Sequence, residues 1–126
     1  VTERGPGARK RILCVQRRAP HGSIYALEGL EVILMAAAFD QAVTVLFLDD
    51  GVYQIARGQN TTALGVKNFS PAFRALEHYE VERVIVERES LARRGLSPGD
   101  LLRAVEVLGR EEVARLMEAS EAVLSF

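Results

Sequence analysis

Short apolar runs alternate along this chain with segments whose apolar residues recur at helical spacing. Arg11–Val15 (RILCV), Ala42–Leu48 (AVTVLFL) and Arg83–Val86 (RVIV) are β-branched-rich runs of strand length. Their nearly continuous apolar character predicts strands covered on both faces rather than one. Between the first two, Leu27, Leu30, Leu34 and Ala37 or Ala38 fall at helical spacing, with Glu28 and Glu31 opposite. A helix over Ser23–Phe39 is expected, with Ser23 as its N-cap. A short helix is expected around Val52–Ala56, followed by a polar loop from Arg57 to Thr62. Ser70-Pro71 is a helix-start signal, because proline at the first turn forfeits no helical hydrogen bond. Glu89–Arg94 reads as a short helix closed by Gly95, and Ser97–Asp100 as a turn. Leu101–Val107 fits strand or helix by periodicity, and part of it is read as a strand because Gly109 separates it from a helix at Arg110–Ala119. Ala122–Phe126 reads as a closing strand.

Strands separated by helices call for parallel pairing through right-handed crossovers. The expected fold is therefore α/β, a three-layer α/β/α arrangement on a mainly parallel five-stranded sheet. Residues 1–9 are expected to be a flexible N-terminal segment and residues 10–126 a single domain, which suits the length of 126 residues.

Composition removes several function classes. The net charge is −1, so no global field recruits nucleic acid or an acidic membrane. The longest apolar run, Val32 to Phe39, is far too short to span a bilayer. The Gly/Pro-rich start has no apolar stretch behind it, so no secretory signal is read and a cytoplasmic location is expected. One cysteine, Cys14, excludes an intramolecular disulfide.

In an open parallel sheet, ligands gather beyond the carboxyl ends of the strands. That rim should carry Gln16, Arg17, Arg18 and His21 after the first strand, Asp49, Asp50 and Gly51 after the second, and Glu87 and Arg88 after the third. Asp49-Asp50 suggests a metal or phosphoacceptor site, but hard cations need several carboxylates, and Arg17 and Arg18 stand where further acids would be required. A turn whose carboxylate caps the next helix is the better reading. His21 titrates near neutrality but has no sequence-evident carboxylate to orient it. Gly22-Ser23 lacks the further glycines or the Gly-Lys-Ser/Thr that make a nucleotide loop credible. Cys14 lies between Leu13 and Val15, where burial should raise its pKa and block attack. No catalytic residue, cofactor site or metal site is therefore assigned. Tyr53 and Ile55 remain as candidate anchors for a protein partner, and Arg17 and Arg18 as bidentate contacts to its acids.

Several stretches resemble one family in order along the chain. They are Arg17–Leu30 (RRAPHGSIYALEGL), Val45–Gln54 (VLFLDDGVYQ) with Gly58-Gln59, Lys67–Leu76 (KNFSPAFRAL), Glu89–Leu96 (ESLARRGL) and the closing Ala122–Phe126 (AVLSF). Together they resemble the DsrF/TusC family of sulfur-relay subunits, closer to the DsrF branch of sulfur oxidation than to the TusC branch of tRNA thiolation. The segment between Gly95 and Arg110 is shorter than the DsrF pattern. The resemblance implies a DsrE/F-like fold and a cytoplasmic heterohexamer with DsrE/TusD-like and DsrH/TusB-like sister subunits. It further implies that sulfur travels as a persulfide on a sister cysteine to a DsrC/TusE-like carrier. A DsrF/TusC-like subunit assists without a catalytic cysteine, which agrees with the absence of cysteine from every predicted loop. A stand-alone sulfurtransferase using Cys14, or a small-ligand-binding domain, are the alternatives.

Overall fold

In the computed structural model, which describes residues 10–59, 68, 70–79, 81 and 83–126, five strands form one sheet. They are β1 (Arg11–Gln16), β2 (Ala42–Phe47), β3 (Arg83–Glu87), β4 (Glu106–Leu108) and β5 (Ala122–Ser125). Their order is β4-β3-β2-β1-β5, and every neighbouring pair is parallel. Three α-helices, α1 (Tyr25–Ala38), α2 (Arg88–Arg93) and α3 (Arg110–Ala119), are joined by 3-10 helices at Asp49–Ile55, Ser70–Tyr79 and Pro98–Asp100. The expected flexible stretch 1–9 and much of the polar loop beyond Gln59 lie outside the described residues.

Alternation along each strand divides the core in two. Cys14, Val43, Val45, Phe47, Val84 and Val86 face α1 and the two longer 3-10 helices, where Phe73 meets Phe47 edge-on at 5.3 Å between ring centroids. Leu13, Val15, Leu46 and Ile85 face the other way and are covered by α3 through Val113, Leu116 and Met117. The chain adds β2, β3 and β4 successively on one side of β1, then returns over the opposite face through α3 to place β5 on the other side. Helices on both faces are what right-handed crossovers running in opposite directions require.

Helix α1 differs in detail from the sequence expectation. Ile24, not Ser23, occupies the N-cap position, and no side chain caps the helix. Its buried face is Ala26, Gly29, Leu30 and Ile33, while Leu27 points outward. The two small residues on that face let α1 sit close to the end of β1. A Cβ on Gly29 would overlap Oε1 of Gln16, and one on Gly51 would overlap the Gln16 carbonyl oxygen. The strand expected within Leu101–Val107 is reduced to the three residues of β4, and Leu101 makes only an isolated antiparallel bridge to Ala56. Gly95 closes α2 as expected, with φ of 67° and its N–H donating to the Ala92 carbonyl.

Candidate functional site

The strand order reverses across β1 and β5, and the rim beyond their carboxyl ends is where an open α/β sheet offers a crevice. Gln16, the last residue of β1, is fully buried, and its Nε2 donates to the Ala26 carbonyl at 3.1 Å. Gln54, also fully buried, donates through Nε2 to the Arg18 carbonyl at 2.8 Å. Two amide side chains in the core therefore grip both ends of the segment that carries Arg17, Arg18 and His21. Each leaves its Oε1 buried with no partner among the described residues. His21 Nε2 lies 3.2 Å from Gln59 Oε1, and Gln59 Nε2 in turn donates to the carbonyls of Tyr53, Gln54 and Ala56. His21 thus helps fasten this segment to the end of the Asp49–Ile55 helix.

Four charged side chains at the rim form two ion pairs. Arg17 reaches Asp49 Oδ2 at 3.2 Å, and Arg94 reaches Asp50 Oδ1 at 3.0 Å. The Arg18 guanidinium lies 4.5 Å from the Tyr25 ring centroid, within cation–π range. The Arg17 N–H donates to the Phe126 carbonyl and the Phe126 N–H to the Val15 carbonyl, both at 2.8 Å, so β5 ends on this rim. Arg17, Arg18, Tyr25, Asp49, Asp50, Ser125 and Phe126 line an open depression of about 460 Å³.

The expectation that an Asp49 or Asp50 carboxylate caps the following helix does not hold. Leu48 is the N-cap residue, without a side-chain cap, and both carboxylates turn to arginines instead. Asp49 adopts φ of 51°, a conformation that aspartate tolerates better than most residues. Its N–H donates to Ser90 Oγ at 2.9 Å, and that hydroxyl donates to Glu87 Oε1 at 2.7 Å. Tyr53 is partly exposed, but Ile55 is fully buried in the core and offers nothing to a partner. The 3-10 geometry explains this correction, because residues three apart eclipse and Ile55 shares the inward face with Val52.

Cys14 lies in the middle of β1, fully buried, with Val45 of β2 and Leu124 of β5 in register on either side. Burial pushes its thiol up to about 11. Among the described residues no group of three or more His, Cys, Asp or Glu side chains could hold a metal ion. The rim combines two ion pairs with the exposed residues Tyr25 and Tyr53. Sequence reasoning placed Gln16 on the rim without reading its burial and gave Gln54 no role. The available signals were an amide ending an apolar strand and a glycine inside an apolar helix.

Residues 10–126 match the DsrE/DsrF-like family. The intracellular sulfur oxidation protein DsrF of Allochromatium vinosum is 50% identical over 131 aligned positions, covering 93% of this chain and 96% of that protein. A TusC homologue of Vibrio parahaemolyticus is 38% identical, with 87% of this chain and 93% of that protein covered. A Pseudomonas aeruginosa TusC homologue is 35% identical, covering 90% and 96%. Among solved structures, the E. coli YchN protein superposes with a TM-score of 0.78 over 93% of this chain and 99% of its own, at 21% identity. That last likeness shows the fold alone.

Proposed function

Because the chain belongs to the DsrE/DsrF-like family, we propose that it is a non-catalytic subunit of a cytoplasmic DsrEFH-type sulfur-relay complex. It assists the passage of persulfide sulfur from a cysteine of a DsrE/TusD-like sister chain to a small DsrC-like carrier, and a DsrH/TusB-like chain completes the assembly. The observation that carries this reading is Cys14. It is the sole cysteine of the sequence, and it is a core residue whose thiol is both inaccessible and weakly acidic. A persulfide carrier needs an accessible thiolate, so the sulfur-bearing group belongs to another chain. The higher identity to DsrF than to the TusC homologues supports the sulfur-oxidation branch. The TusC-type role in tRNA 2-thiouridine synthesis is the second reading, supported by those same homologues. No described helix is long and apolar enough to cross a membrane.

In this proposal the rim of Arg17, Arg18, His21, Asp49, Asp50 and Tyr53 is a docking edge. Its exposed Arg17–Asp49 pair can exchange partners with charges on an incoming protein at little cost, since such pairs contribute only about 0–1 kcal/mol. Native mass spectrometry of the chain co-expressed with its two related sister chains tests the reading. A mixed complex with equal numbers of the three chains is expected, and a chain that stays alone or binds only itself refutes it. Tyr53→Ala is expected to weaken assembly, and full assembly of that variant removes Tyr53 from the docking edge.

A further inference from the structure

The two longest α-helices present opposite kinds of surface. Helix α3 buries Val113 and shows an outward face of Arg110, Glu111, Glu112, Arg115 and Glu118, as expected of a helix against water. Helix α1 buries its Ala26–Ile33 face yet is apolar on its outward side as well. Met35 is 60% exposed, and Ile24 and Phe39 at its two ends are 64% and 73% exposed. Leu27 is also open to solvent. A helix that is apolar nearly all round is normally a buried one. The surface extends beyond α1, because β5 is an edge strand and its half-exposed Leu124 stands in register with Cys14, on the face of the sheet that α1 covers.

The charge that α1 itself presents has one sign, although Arg18 lies over Tyr25 at its first turn. Glu28 and Glu31, three residues apart and therefore neighbours on the helix, project from the same outward side, and α1 carries no lysine or arginine. The ion pairs among the described residues join other side chains. A second copy docked through the same patch would bring four carboxylates together, since a two-fold interface is self-complementary. An anionic lipid surface is disfavoured for the same reason. A protein surface with an apolar centre and lysine or arginine opposite Glu28 and Glu31 fits both properties.

We infer that the outward face of α1, extended by Leu124 of β5, is the surface through which this chain docks a different protein chain bearing an apolar patch with basic side chains. The inference rests on the proposed role as a relay-complex subunit and names the face that role would use. It adjoins the charged rim at Tyr25 and Ser125, but it is read out by Glu28, Glu31 and Met35, whereas docking at the rim is tested by Tyr53.

Carboxyl footprinting with a carbodiimide and an amine, together with hydroxyl-radical oxidation of Met35, tests it on the isolated chain and on the co-purified complex. In the complex, modification of Glu28, Glu31 and Met35 should slow at least about tenfold. The double variant Glu28→Lys/Glu31→Lys should weaken assembly by about tenfold or more, as charge reversal at a complementary interface does, with its own melting temperature kept. A complex that forms while all three residues stay fully reactive overturns the inference and leaves the functional reading standing. Failure of any complex to form overturns the functional reading itself. A homodimer of the isolated chain that protects these residues overturns the choice of a basic, different partner.

Discussion

Reagents that attack thiols should reach Cys14 only when the protein unfolds. Two factors set the size of the effect. The thiol is pushed from an ordinary value of 9.0 to about 11. That shift leaves about a hundredfold less thiolate at neutral pH. A more basic thiolate is also a better nucleophile, by about six- to tenfold over this range, so ionisation alone slows the reaction only about tenfold to twentyfold. Access matters more. Cys14 is fully buried, flanked in register by Val45 and Leu124, and packed against Leu30 and Ile33 of α1. Exposing it requires α1 to leave the sheet and open the larger half of the core, which we expect to cost close to global unfolding. At an ordinary stability of about 5 kcal/mol or more, the open fraction is below about one in a thousand. Native labelling by iodoacetamide, followed by mass spectrometry, should therefore run at least about a thousandfold slower than in concentrated guanidinium chloride. A native rate within tenfold of the denatured one would refute both the burial argument and the assignment of the sulfur-bearing thiol to another chain.

Three further outcomes are expected. Gly29→Ala should lower stability by about 1–2 kcal/mol in a urea titration, because overpacking against the Gln16 amide outweighs alanine's gain in helix propensity of about 1 kcal/mol; a stabilised variant would mean that α1 and β1 are not in close contact. Arg83→Ala breaks a two-pronged pair with Glu106 at 2.8 and 2.7 Å, yet both side chains are more than a third exposed, so screening should hold the loss to about 1 kcal/mol or less; a loss above about 2 kcal/mol would show that β4 depends on this pair. In acid, Glu106 is held below its ordinary value of 4.5 chiefly by the hydrogen bonds from Arg83, and Glu89 by its own N–H and that of Arg110. A lowered native pKa stabilises the fold above the unfolded value and is lost as pH falls through the native one, so the melting temperature should hold down to about pH 5 and drop below it, with Glu89→Gln losing part of that drop; a fall already between pH 7 and 6 would contradict this.

Much of the fold was legible because buried parallel strands announce themselves locally. RILCV, AVTVLF and RVIV are too apolar and too short for anything but strands covered on both faces, and helical spacing between them implies crossovers. The same local chemistry placed Cys14 in the core. Helix α1 was harder, because a segment apolar on every side has no distinct phase, and Leu27 reads as well as Ile33 for an inward position. Only the packed structure shows that Ala26 and Gly29 are the inward pair, since only there does β1 press Gln16 against them. Ile55 reads as exposed until 3-10 geometry turns it in with Val52. The rim was identifiable as a place but not as an arrangement. Asp49 meets Arg17 across 32 residues of sequence, and Asp50 meets Arg94 across 44. The position of β5 beside β1 rather than beyond β4 is likewise a matter of tertiary structure. Periodicity reports the two or three neighbours a residue has along its own element. Which distant charge or strand arrives beside it depends on how the whole sheet is wound, and no local pattern carries that information.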